Sequence, residues 1–177
     1  IYELSKENKE LIPKTIKHIF IISDRRERIE TLRKIAKAVN SDKTMIFINT
    51  KYDLEESLQK LQYHNYNVAA LAGNIDKQSK KKAVEDFQNG RLQYLLATDV
   101  AARGLQIDHV STVINVNLPE EPTEYLHRAG RCGRNNEQGL CISIITENEL
   151  NKIKKYQKAF NINIVQKRLY NGKIVSK

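Results

Sequence analysis

Thr44–Leu71 reads TMIFINTKYDLEESLQKLQYHNYNVAAL, and its pattern changes twice. TMIFI at Thr44–Ile48 is an unbroken apolar run that suits a short strand buried on both faces. Tyr52–Tyr63 then places Leu54, Leu58 and Leu61 at helical spacing, and Val68–Leu71 returns to a strand. The same alternation extends in both directions. Before it lie a strand at Thr15–Ile22 and a helix from about Arg26 to Val39. After it come a helix at Lys77–Phe87 closed by Asn89-Gly90, then strands at Leu92–Ala97 and Val110–Asn115. A helix at Thr123–Ala129, a strand at Leu140–Thr146, a helix at Glu147–Phe160 and a final strand within Ile162–Leu169 complete the series. Strands alternating with helices predict an α/β fold around a central, mainly parallel sheet covered on both faces. No repeat, low-complexity tract or linker interrupts it, so one domain is expected over residues 1–177. In such sheets ligands sit beyond the carboxyl ends of the strands. The loops to inspect are Asn49-Thr50, Ala72–Asn74, Thr98–Gly104 and Asn117–Pro122.

Composition narrows the class. The chain has 177 residues, 40% of them hydrophobic, with no apolar run of membrane-spanning length and no apolar signal core at its charged N-terminus. A non-membrane, cytoplasmic protein is expected. Ile1 in place of methionine suggests a processed chain or a piece cut from a longer protein. Cys132 and Cys141 match neither a disulfide framework nor a metal-ligand spacing, and His18, His64, His109 and His127 are scattered, so no metal site is expected. The net charge of +9 is uneven. Between Asn151 and Lys177 stand Lys152, Lys154, Lys155, Lys158, Lys167, Arg168, Lys173 and Lys177, without a single acid. A basic helix and strand at 151–177 on an otherwise near-neutral body points to a polyanion such as RNA or DNA; a solvated, solubilising tail is the alternative.

Two blocks carry the chemistry. His127–Arg134 reads HRAGRCGR, with Arg128, Arg131 and Arg134 three residues apart. If the stretch is helical, the three guanidiniums project from one side, and their planar donor forks match phosphate oxygens. Gly130 and Gly133 would let a backbone or a phosphate come close. A solvated basic helix face fits poorly, because each helical glycine costs about 0.5–1 kcal/mol relative to alanine. Ala97–Asp108 reads ATDVAARGLQID directly after a strand. Thr98 and Asp99 could meet phosphates there or simply cap a helix, and the two roles can coexist.

Taken in order, these blocks resemble the second, C-terminal RecA-like domain of the DEAD-box RNA helicases, a branch of helicase superfamily 2. MIFINT at Met45–Thr50 resembles motif IV. LAGNIDKQSKKKAVEDFQNG at Leu71–Gly90 resembles the stretch holding motif IVa. ATDVAARGL resembles motif V, VINVNLP at Val113–Pro119 the motif Va region, and HRAGRCGR motif VI. The resemblance implies a RecA-like three-layer sandwich and a role as half of an ATP-dependent RNA helicase. It implies that Arg131 and Arg134 act as arginine fingers on the γ-phosphate of ATP. Gly104, Gln106 and Arg128 would also approach the nucleotide, and His127 and Arg128 would couple the two domains. RNA contacts would fall to Asn49, Thr50, Gly73, Gln78, Lys81, Thr98, Asp99 and Arg103.

Three positions depart from the family pattern. Gln106 replaces an aspartate near the ribose, Lys81 replaces an arginine, and Asn117 replaces an aspartate of an inter-domain contact. The amides lose charge, and the lysine loses bidentate geometry. Neither GxxxxGK[ST] nor a DEAD-like acidic run occurs in the chain. ATP and Mg2+ are therefore expected to be held mainly by an N-terminal RecA-like domain of the same polypeptide, with RNA as the other partner. This domain alone is expected to be monomeric and inactive. A non-enzymatic RNA-binding or RNA-chaperone module on the same fold is the alternative reading.

Overall fold

The apolar run beginning at Thr44 is a strand buried along its whole length, as required where helices cover both faces of a sheet. The computed structural model describes residues 12–72 and 74–177. Its strands are β1 (Ile16–Ile22), β2 (Thr44–Phe47), β3 (Val68–Leu71), β4 (Tyr94–Ala97), β5 (Thr112–Asn115), β6 (Gly139–Ile145), β7 (Ile164–Tyr170) and β8 (Lys173–Ser176). They form one eight-stranded sheet in the order β3-β4-β2-β5-β6-β1-β7-β8. Every neighbouring pair is parallel except β7 with β8.

The helices are α1 (Arg28–Val39), α2 (Lys51–Tyr63), α3 (Lys77–Gln88), α4 (Asp99–Ala102), α5 (Pro122–Ala129) and α6 (Leu150–Phe160). Alternate residues of each strand serve two separate cores. Ile46, Leu96, Ile114 and Ile144 pack with Leu32 and Ile35 of α1 and Leu54 and Leu61 of α2. Met45, Leu95, Val113 and Cys141 pack with Phe87 of α3, Tyr125 of α5 and Tyr156 and Phe160 of α6. The expected α/β three-layer sandwich is what the chain adopts.

The differences from the sequence reading are local. Asp99–Ala102, read as loop, is a single helical turn capped by Thr98, whose Oγ1 accepts from the Ala101 N–H at 3.2 Å. The basic end holds not one strand but a hairpin, turned at Asn171 and Gly172, both at positive φ. That pair is a two-residue connection favoured between antiparallel strands, and it lay just past the apolar pattern of β7. α5 ends at Ala129, so the three arginines of HRAGRCGR do not share one helical face. Gly133 takes a left-handed φ of 71°, and a Cβ there would lie 2.6 Å from Ile16 Cγ1. Gly133 thus admits the side chain of Ile16 rather than a phosphate. Cys132 and Cys141 are both buried and unpaired, and burial pushes the Cys141 thiol up to about 11.

Candidate functional site

The loops that follow β2, β3, β4 and β5 lie side by side at the carboxyl edge, because those strands are neighbours in the order β3-β4-β2-β5. Arg128 of α5 reaches into this edge and is 1% exposed. Its Nε and Nη2 donate to the two carboxylate oxygens of Asp99 at 2.8 and 2.6 Å. Nη2 also donates to Asn49 Oδ1 at 2.8 Å, and Nη1 to the Asn117 carbonyl at 2.8 Å and to Asn115 Oδ1 at 3.3 Å. The Phe47 ring lies under the guanidinium, 5.1 Å from Cζ to centroid. A buried cation is tolerated only with such full pairing. One side chain thereby joins the ends of β2, β4 and β5 to α5.

This geometry gives several of the expected residues partners within the chain. Arg128 borders the cavity beside this network, but every N–H of its guanidinium is already paired within the chain. Asp99 gives both carboxylate oxygens to Arg128. Asn117 Oδ1 accepts from the Asn49 N–H at 2.9 Å, and Asn49 Nδ2 donates to the Leu118 carbonyl at 2.9 Å. Asn49 thus uses both ends of its amide, and Asn117 its side-chain oxygen, within the chain, although Asn49 remains at the surface.

A cavity of about 330 Å³ opens beside this network, lined among others by Asp99, Arg103, Gly104, His127 and Arg131. Arg131 enters it from the turn after α5. Its Nη1 donates to the Leu105 carbonyl at 2.6 Å and its Nη2 to the Ala102 carbonyl at 3.3 Å. Burial pulls its pKa below the ordinary guanidinium value, and it stays a cation, since arginine does not deprotonate in proteins. Gly104 holds φ at 78°, and a Cβ there would meet nothing within 4 Å. The backbone at that point is therefore open to an incoming group. Glu124 organises the mouth: it bridges Arg103 at 3.4 Å and faces His127 Nδ1 at 3.6 Å.

The remaining expected residues divide by place. Arg134 lies outside that cavity, its Nε donating to the Gly130 carbonyl at 2.9 Å. Gln106 is exposed and reaches Asp108 Oδ2 at 3.5 Å. Thr50 caps α2, its Oγ1 accepting from the Asp53 N–H at 3.2 Å. Gln78 and Lys81 are exposed on the first turns of α3, beyond the end of β3. Gly73 lies outside the described residues.

The comparisons with known proteins bear on this edge directly. The family described as helicase conserved C-terminal domain matches residues 27–136. The matched span runs from the start of α1 through the whole arginine block. The chain belongs to that family, in its DEAD-box branch. The DEAD-box ATP-dependent RNA helicase CshC of Bacillus cereus is 34% identical over 160 residues, which is 90% of this chain and 41% of CshC. The chain thus spans about two fifths of that relative's length. The C-terminal domain of the DEAD-box protein Dbp5 superposes with a TM-score of 0.82 at 29% identity, covering 87% of this chain and 91% of that one. Dbp5 of S. cerevisiae bound to RNA and ADP BeF3 gives 0.83 at 28% identity, covering 93% and 44%. The sandwich is RecA-like, as expected.

Sequence reasoning overlooked four members of this DEAD-box edge: Phe47, Asn115, Asp76 and Glu124. Phe47 and Asn115 sit within apolar runs and read as ordinary strand residues. Asp76 caps α3 by accepting from the Ser79 N–H at 2.7 Å, and an aspartate three residues before a serine was the available signal. Glu124 stands one helical turn before His127, a spacing that places the two side by side.

Proposed function

We propose that this chain is the C-terminal half of an ATP-dependent RNA helicase and works only against a partner surface that presents ATP. Arg131 and Arg134 would meet the γ-phosphate of ATP held with Mg2+ on an N-terminal RecA-like domain of the same polypeptide. Their fixed charges would offset the negative charge that develops on the phosphoryl oxygens during transfer. The observation that carries this reading is Arg131: a guanidinium anchored by the Leu105 and Ala102 carbonyls at the wall of an open cavity, beside Gly104 and His127. An arginine meant only for solubility would not be desolvated on one side and free toward a cavity. Gln106 would reach toward the ribose.

The RNA track would run along the neighbouring loop ends, through Thr50, Gln78, Lys81 and Arg103, with Asn49, Gly73 and Thr98 offering backbone. Arg128 and Asp99 act here as positioning residues that hold these loops in register. His127 would face the other domain. Such a chain neither holds a nucleotide alone nor orients a water for attack.

The test uses the longer polypeptide containing both domains. Arg131→Ala and Arg134→Ala should each reduce RNA-stimulated ATP hydrolysis by about 10³-fold or more, with RNA binding kept. Turnover within a fewfold of the parent in both variants would remove the finger assignment and favour a non-enzymatic RNA-binding module.

A further inference from the structure

The proposed track leaves unused the opposite end of the sheet. The β7–β8 hairpin lies as far from β3 as the strand order allows. One of its faces is closed, since Leu169 and Ile174 pack toward the α1 side. The other face alternates outward, with Gln166, Arg168 and Tyr170 on β7 beside Val175 and Lys173 on β8. Tyr170 is 57% exposed, and the Arg168 guanidinium stands 5.1 Å from its ring centroid. Lys177 Nζ donates to Gln166 Oε1 at 3.2 Å on the same face.

Helix α6 borders this face. Gln157 Oε1 accepts from the Ile164 N–H at 2.9 Å, which sets that flank of the helix against the start of β7. Lys154 and Lys158, both exposed, occupy the adjoining stripe, four residues apart. Nothing acidic occurs between Asn151 and Lys177 to neutralise the surface.

We propose that this surface is a second contact for single-stranded RNA, separate from the track at the carboxyl edge. Lys154, Lys158 and Lys173 take backbone phosphates, and an unstacked base lies on Tyr170. Arg168 fixes the ring's orientation and adds a cation beside the base. Charge alone would suit any polyanion; the exposed ring among the cations is what selects a nucleic acid with free bases. Positioned at the far edge, the contact would hold RNA flanking the segment in the track. It rests on the RNA-binding reading above.

The test is fluorescence anisotropy of the 177-residue chain with a labelled single-stranded oligouridine, across a salt series. Tyr170→Ala should weaken binding by about fivefold or more, as loss of one stacked base demands, while Tyr170→Phe should bind like the parent. Lys154, Lys158 and Lys173 exchanged together for glutamine should flatten the salt slope by about 2, at about 0.7 per phosphate. Lys81→Gln and Arg103→Gln probe the track in parallel. Weakening by the track pair alone overturns the hairpin contact and leaves the track standing. Weakening by the hairpin variants alone supports the hairpin contact and counts against the track. A loss with the lysine exchange but none with Tyr170→Ala overturns the stacking contact and reduces the surface to general polyanion attraction.

Discussion

At the residue scale, the decisive contrast lies between two arginines three positions apart. Both line the same cavity, but Arg128 is fully paired with side chains and a carbonyl of the edge, whereas Arg131 is held only by the Leu105 and Ala102 carbonyls. Orphaning a buried cation is costly, because its desolvation is no longer offset. Asp99→Ala should therefore destabilise the fold by about 3 kcal/mol, the lower end of the range for broken buried pairs because the Asp99 side chain is 20% exposed. Urea denaturation of the parent and the variant measures this. A loss below about 1 kcal/mol would mean that water replaces the carboxylate and that Asp99 is free for another role.

At the element scale, β1 carries a pH dependence into the core. His18 is buried on β1, with Nδ1 2.8 Å from Tyr125 Oη of α5. Burial lowers its pKa from 6.5 to about 4. The unfolded chain therefore binds a proton more readily than the folded one in that window. Stability is complete above about pH 6.5 and falls as pH drops towards 4. By pH 5 the loss should reach about 2 kcal/mol, at 1.36 kcal/mol per pKa unit. Glu30, held near 2 by hydrogen bonds from Arg33 and Lys60, loses its contribution only below its ordinary range, so the two effects separate. Thermal unfolding at pH 7.5 and 5 should show a larger drop for the parent than for His18→Gln. Equal drops would assign the acid sensitivity elsewhere.

For the whole molecule, the proposed function makes the cavity wall of Arg131 and Gly104 one side of a site. Among the described residues no group of three or more His, Cys, Asp or Glu side chains could hold a metal ion, and no helix is long and apolar enough to cross a membrane. The chain alone should give no RNA-stimulated ATP hydrolysis. Mixed with a separately prepared N-terminal domain, it should raise hydrolysis above the sum of the parts, since fingers act only on a phosphate presented by another surface. Sustained hydrolysis by the 177-residue chain alone would contradict the proposed division of labour.

Strand and helix order, the parallel sheet and the loops worth inspecting were legible in the sequence, because apolar periodicity reports directly on which faces are covered. HRAGRCGR and ATDVAARGL, singled out from the sequence, also meet at the carboxyl edge of the sheet. What the sequence could not assign was the use of each side chain there. Arg128 and Arg131 share residue type and neighbourhood and border one cavity, and only tertiary packing puts Asp99, Asn49 and Asn117 around the first and two backbone carbonyls against the second. Gly133 likewise reads as room for a phosphate until the start of β1 is seen against it. Periodicity is a local property, set by each segment's own faces. The pairing of a buried charge depends on four chain segments meeting, so only the tertiary structure decided it.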